Sequence, residues 1–306
     1  MEKISIDKIS FYLLYLLIPS IIFSNALANI LLVVLGFFSC YLIFKKQIQI
    51  PSWLIYFFIL VLYYFLHPTN FLIEWNHLDY KNLIKILFLI RFPLLVILIL
   101  YLAKKEINVK YFKIIFIILS LLLFLLSIDI IFQFIFKVDI FGIKPGQWDD
   151  NINDFKRYSG FFGDELIGGA YLYLNSFLIL YFLINKNLQN KRNFFLILIF
   201  LILISVILSG ERVALFKYLL LITIFIFFII PDFKKQKFIL IFTFFLLGIL
   251  IYNNETLKKR YIQGTFNEIG SVEKIKNNSY HYLHYVTAIN IFKDNVLFGA
   301  GYKSFP

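Results

Sequence analysis

Long apolar runs alternate with short polar interruptions along the whole of this 306-residue chain. The runs fall near 11–24, 29–44, 52–66, 83–103, 112–136, 166–184, 194–209, 213–230 and 238–252. Runs of roughly 15 to 22 apolar residues match the thickness of a bilayer core. In lipid every backbone amide must find its partner inside the protein, so such runs form helices or closed barrels. No period-two alternation marks a barrel. The pattern predicts an all-α fold, a polytopic bundle of about nine transmembrane helices.

The polar interruptions orient the bundle. The connections after the second, fourth, sixth and eighth runs are "KKQ", "KKEINVKYFK", "NKNLQNKR" and "DFKKQK", short and basic. Those after the third and fifth are longer: "HPTNFLIEWNHLDYKN" and "KVDIFGIKPGQWDDNINDFKRYSGFFGDE". They carry most of the acids, aromatics and glycines found between runs. The positive-inside rule then puts the N-terminus in the cytoplasm. Residues 1–252 are expected to form the bundle, with 253–306 on the outer side.

Composition agrees. The chain is 61% hydrophobic, with 39 Phe and 20 Tyr, and only 16% charged, against about 25% for a soluble protein; the mean hydropathy is +0.82. The net charge of +12 sits largely in the short basic loops, which leaves nothing for a nucleic-acid partner. The single Cys40 excludes an intrachain disulfide and a cysteine-cluster metal site. Near the N-terminus, Ala26-Leu27-Ala28 resembles a signal-peptide cleavage site. Asp7 and Glu2 dilute the basic region before it and another apolar run follows at once, so a tight helical hairpin is the preferred reading.

Three polar islands fall on the expected outer face. The first, Lys137 to Glu165, follows Asp129 and Gln133, which share one helix face by their four-residue spacing. It contains "RYSGFFGDELIGGAYL", in which Arg157 precedes a glycine-rich turn. Asp164 and Glu165 stand where acids favour a helix N-terminus. The second, "LSGERVAL", sets Glu211 beside Arg212 between two greasy runs. Arg212 is either an arginine snorkelling at a helix end and paired with Glu211, or a fork for phosphate oxygens at the outer mouth of the bundle, held in orientation by Glu211. The third, residues 253–306, predicts an amphipathic helix through Tyr282, Val286, Ile289 and Phe292. His281 and His284 share a face of it, with no third metal ligand evident. Its end, "FGAGYKSF", is a glycine turn that lacks a phosphate-loop pattern and carries Lys303.

The ordered set "RYSGFFGDELIGGAYL", "LSGERVALF" and "AINIFKDNVLFGAGYKSF" resembles the O-antigen ligase and polymerase superfamily of bacterial inner-membrane enzymes. Glu211 stands where that family more often has a small residue, and Val296 where proline is usual. The resemblance covers roughly residues 110 to 306. It implies transfer of a glycan from an undecaprenyl-pyrophosphate carrier to a hydroxyl of another glycan or of lipid A core, with no cofactor and no metal. On it, Arg212 and Arg157 stabilise the departing pyrophosphate, and a histidine, His284 here, deprotonates the acceptor. Glu211, Asp164, Glu165, His281, Lys303 and Arg91 complete the expected substrate-binding set. The family's usual histidine motif and closing helices come after the third element, so the chain is expected to be a shortened form, inactive by itself. His281 and His284 are also consistent with packing at the base of the loop.

Arg91 lies near the middle of the run 83–103. A cation at membrane depth costs at least about 2.5 kcal/mol and calls for a partner or a water pocket; Asp129 is one such partner, a lipid phosphate another. A flippase or transporter of lipid-linked glycans is the rival reading, although the charges gather at the outer mouth and no internal repeat is evident. A third is a peptidoglycan-polymerising membrane protein using the same carrier.

Overall fold

The computed structural model describes residues 6–65, 88–105, 109–147, 156–163, 165–184, 192–225, 244–245, 248–249, 251–269, 280–294 and 296. Helix dominates them. The elements are α1 (Ile6–Phe23), α2 (Asn25–Phe44), α3 (Ser52–Phe65), α4 (Arg91–Ala103), α5 (Val109–Phe136), β1 (Gly146–Gln147) and β2 (Lys156–Arg157). A single 3-10 turn (Gly160–Phe162) leads to α6 (Gly168–Ile184), α7 (Arg192–Leu208) and α8 (Arg212–Ile224). Then come α9 (Glu255–Lys258), a π-turn (Lys259–Gln263), α10 (Gly264–Ile269) and α11 (Tyr280–Asp294).

Among the described residues, α1, α2 and α5 are each long and apolar enough to cross a membrane. Shorter apolar helices cover Ser52–Tyr63, Arg91–Ala103, Gly168–Leu180 and Phe194–Leu208. The run expected at 238–252 falls mostly outside the described residues. Side chains such as Phe37, Tyr56 and Phe216 stand 68, 72 and 69% exposed on these helices, an outer surface that suits hydrocarbon rather than water. The polar side chains point the other way: Ser10, Ser39, Ser127, Asp129, Gln133 and Ser205 are fully buried.

The chain forms two compact units, Met1–Ile115 with Val272–Pro306, and Phe116–Ser271. In the first, α1, α2 and α4 share a core of Phe11, Leu14, Leu31, Leu35, Leu98 and Leu102. Ser24 caps α2 by accepting from the Leu27 amide at 3.3 Å. Small residues on α2 admit α4: Gly36 faces Leu94, and Ser39 Oγ donates to the Leu94 carbonyl at 2.6 Å. Lys105 Nζ meets Asp7 Oδ2 at 2.7 Å, so the start of α1 and the end of α4 lie at one end of this unit.

In the second unit, α6 packs on α7 and α8 on both. Ser205 Oγ on α7 donates to the Ser127 carbonyl of α5 at 2.9 Å, and the buried Tyr218 of α8 donates to the Ile199 carbonyl at 3.0 Å. Serine and tyrosine hydroxyls thus join helices whose other contacts are apolar, a device suited to a bundle without a hydrophobic driving force from water.

Arg91 opens α4, directly after a turn at Leu89 and Ile90. Pro93 sits in the first helical turn, where its missing amide costs little. The helix predicted around Tyr282 to Phe292 forms as α11, but Ile289 and Phe292 on its expected apolar face are 52 and 60% exposed.

Candidate functional site

The second unit gathers the first two polar islands, and part of the tail, at the end of α7. Its foundation is the pair of polar residues on α5. Gln133 Oε1 accepts from the Gly160 amide at 3.0 Å, and its Nε2 donates to the Ile143 carbonyl at 3.4 Å. Asp129 Oδ1 accepts from the Ile140 amide at 2.9 Å. The shared face read from their spacing therefore binds the loop between α5 and α6 at two places. Both side chains are fully buried, and their hydrogen bonds keep loop amides from lying unsatisfied. Asp129 thus serves this loop. Arg91, in the first unit, packs its guanidinium over the rings of Phe92 and Phe88, 4.9 and 5.8 Å from their centroids.

Gly160 lies at φ +59, and a Cβ there would come within 2.8 Å of Asp129 Oδ2. Its lack of a side chain lets the 3-10 turn sit directly on α5. Two further glycines bring α6 close. A Cβ on Gly168 would stand 2.7 Å from the Ser159 carbonyl oxygen, and one on Gly169 would collide with Ser209 Oγ and come 3.2 Å from the Glu211 carboxyl carbon.

Between α7 and α8, Gly210 takes a left-handed conformation at φ +73 and the chain reverses through the SGER sequence. Glu211 Oε1 accepts from the Gly169 amide at 2.8 Å and Oε2 from the Ala170 amide at 3.0 Å. Glu211 is thereby the anion at the N-terminus of α6, a place where amides and helix dipole favour negative charge. An acid at this helix start thus comes from 42 residues away in sequence. Glu165 lies three residues before α6 and is exposed; Asp164 lies outside the described residues.

The tail segment closes on the same turn. Arg260 Nε donates to the Gly210 carbonyl at 3.1 Å, Tyr261 Oη donates to the Ile207 carbonyl at 2.7 Å, and Arg212 Nη1 reaches Thr265 Oγ1 at 3.4 Å. Arg157 feels the charges of Glu211, Tyr261 and Arg212, and Tyr261 those of Arg260, Glu211, Arg157 and Arg212. Burial lowers the Arg157 guanidinium from its ordinary range; Glu211 and Tyr261 work against this and Arg212 adds to it. Burial pushes the Glu211 carboxyl up, opposed by the Gly169 amide, Arg157 and the Ala170 amide. It also raises the Tyr261 phenol, which stays a neutral hydrogen-bond donor.

Of the residues singled out in the sequence, the structure brings together Arg157, Glu211 and Arg212. His284 is exposed on α11, which also carries His281, in the first unit. Arg91 belongs to that unit as well, and Lys303 lies outside the described residues. Among the described residues, no three His, Cys, Asp or Glu side chains form a group able to hold a metal. Sequence reasoning missed Arg260, Tyr261 and Thr265. A signal for them exists: "LKKR" at 257–260 is basic on the expected outer side, where the positive-inside rule does not ask for cations. No family model, no curated protein and no solved structure matches this chain.

Proposed function

We propose that this chain is a multi-pass protein of a bacterial inner membrane that transfers or polymerises glycans from an undecaprenyl-pyrophosphate carrier, with its site at the outer ends of α7 and α8. The observation that carries the reading is the convergence of Arg157 and Arg212, with Arg260 beside them, on the SGER turn. Holding like charges together in a partly buried place costs stability, and such an arrangement is typical of anion sites. The guanidinium fork fits phosphate oxygens. The proposed topology has nine spans and a cytoplasmic N-terminus. The contact between Asp7 and Lys105 supports it, since both residues then belong to the cytoplasmic face.

In the proposed reaction the acceptor hydroxyl oxygen attacks the anomeric carbon of the donor glycan. The bond from that carbon to the pyrophosphate oxygen breaks, undecaprenyl pyrophosphate departs, and the acceptor proton passes to a base. Arg157 and Arg212 meet the charge that grows on the leaving oxygens. Glu211 is a poor base, because both its oxygens accept amides of α6.

The test is a transfer assay on the full-length protein in lipid, with undecaprenyl-pyrophosphate glycan and acceptor. Product that depends on Arg212 is expected. Movement of labelled carrier between leaflets without transfer would place the chain among flippases instead.

A further inference from the structure

Residues Asn254 to Ile269 dock on the SGER turn in a way that α8 and the basic loops do not require. The segment starts with a sound cap: Asn254 Oδ1 accepts from the Thr256 and Leu257 amides at 3.1 and 3.2 Å, and Leu257 is fully buried. It then abandons regular α-helix for a π-turn over Lys259–Gln263. Such turns are rare, energetically poorer than α-helix and frequent at functional sites. The wider turn reduces the angle between successive side chains, so Arg260 and Tyr261 both reach the end of α7. Tyr261 donates to the Ile207 carbonyl at 2.7 Å and, more weakly, to that of Val206 at 3.4 Å. These are carbonyls in the last turn of α7, where a helix lacks partners of its own. Arg260 Nε, at 3.1 Å from the Gly210 carbonyl, sets a third guanidinium between Ser209 and Glu211. One turn on, Gly264 lies beside Arg212: a Cβ there would stand at ordinary contact distance, 3.8 Å, from Nη1 and a tighter 3.2 Å from the Lys259 carbonyl oxygen.

We infer that this segment completes the anion site, with Arg260 as a third guanidinium that binds the pyrophosphate group and Tyr261 as the positioning residue that anchors it. The inference rests on the reading of the SGER turn as a pyrophosphate site. It adds that the two arginines at the SGER turn, Arg157 and Arg212, are not enough, and that the tail determines affinity for a two-phosphate ligand. Two linked phosphates offer more anionic oxygens than two forks engage, and a third fork on a separate element favours pyrophosphate over a single phosphate.

The experiment uses the full chain in lipid nanodiscs, titrated with undecaprenyl pyrophosphate, undecaprenyl phosphate and inorganic pyrophosphate. The wild type should bind both pyrophosphates, lipid-linked and inorganic, better than undecaprenyl phosphate. Arg260→Gln should weaken that binding by about ten- to a hundredfold, the loss of one charge-assisted contact, while changing the affinity for undecaprenyl phosphate much less. Arg260→Lys keeps the charge without the fork and guards against a folding failure of the glutamine variant; it too should narrow the preference for two phosphates. Tyr261→Phe, with charge unchanged, should weaken pyrophosphate binding and leave the salt dependence as in the wild type. Wild-type binding that survives Arg260→Gln with its preference intact would overturn the role of Arg260 and leave the site of Arg157 and Arg212 standing. A wild type that binds none of the three ligands would overturn the pyrophosphate reading itself. Equal affinity for inorganic and lipid-linked pyrophosphate would assign recognition to the head group alone, as inferred.

Discussion

Glu211 holds the Gly169 amide at 2.8 Å, tying the turn before α8 to the first residues of α6. Its second oxygen holds Ala170 at 3.0 Å. Because burial raises the Glu211 carboxyl above the ordinary glutamate range, the folded protein binds its proton more tightly than the unfolded chain does. This contribution to stability is full below the unfolded value, about pH 4.3, and is lost as pH rises through the folded value. Thermal midpoints of the wild type should therefore decline across that window, and Glu211→Gln should flatten the decline. Glu211→Ala removes the cap outright and should cost about 1–2 kcal/mol. An unchanged pH profile in Glu211→Gln would detach the effect from this carboxyl.

Gly160 and Gly142 both lie at positive φ, +59 and +82, but only Gly160 is crowded. At Gly142 a Cβ meets nothing within 4 Å, so Gly142→Ala should cost only the backbone strain, about 1–2 kcal/mol. Gly160→Ala adds a clash with Asp129 Oδ2, at 2.8 Å, and with Ile130. It should be the more damaging by a further 1–3 kcal/mol or so. Comparing the two unfolding midpoints in one detergent checks this; equal losses would mean the loop lifts off α5 at little cost.

Arg212 donates a long hydrogen bond to Thr265 Oγ1, at 3.4 Å, and its proposed work is electrostatic. Arg212→Ala should lower the rate of transfer by about 100- to 1,000-fold. Arg212→Lys should fail nearly as badly, since lysine has charge without the planar fork. Full activity in Arg212→Ala at normal protein level would reduce Arg212 to a snorkelling residue.

The proposed orientation is open to a direct test. With the single native Cys40 replaced by serine, cysteines at positions 187 and 236 should resist a membrane-impermeant thiol reagent in intact cells, and one at 151 should react. The reverse labelling would put the arginine cluster on the cytoplasmic face, away from the proposed acceptor.

Much of this protein is legible along the chain. Apolar runs such as 112–136 and 194–209 leave their amides no partner but their own helix, and α5 and α7 follow those runs within a few residues. Charge is so unwelcome in such a chain that Arg157, Glu211 and Arg212 stand out by type alone, and the spacing of Asp129 and Gln133 already put them on one face. What each polar group holds was decided only by the tertiary structure. Glu211 has Arg212 next to it in sequence, yet its carboxylate goes to amides 42 and 41 residues upstream. Arg260 reaches Gly210 across 50 residues, through a π-turn that no periodicity announces. Helix formation is local, so hydrophobic pattern specifies it. A hydrogen bond between a side chain and a distant amide forms wherever packing brings an unsatisfied helix end, and here the glycines at 160, 168, 169 and 210 let backbones come close enough for that choice to be made.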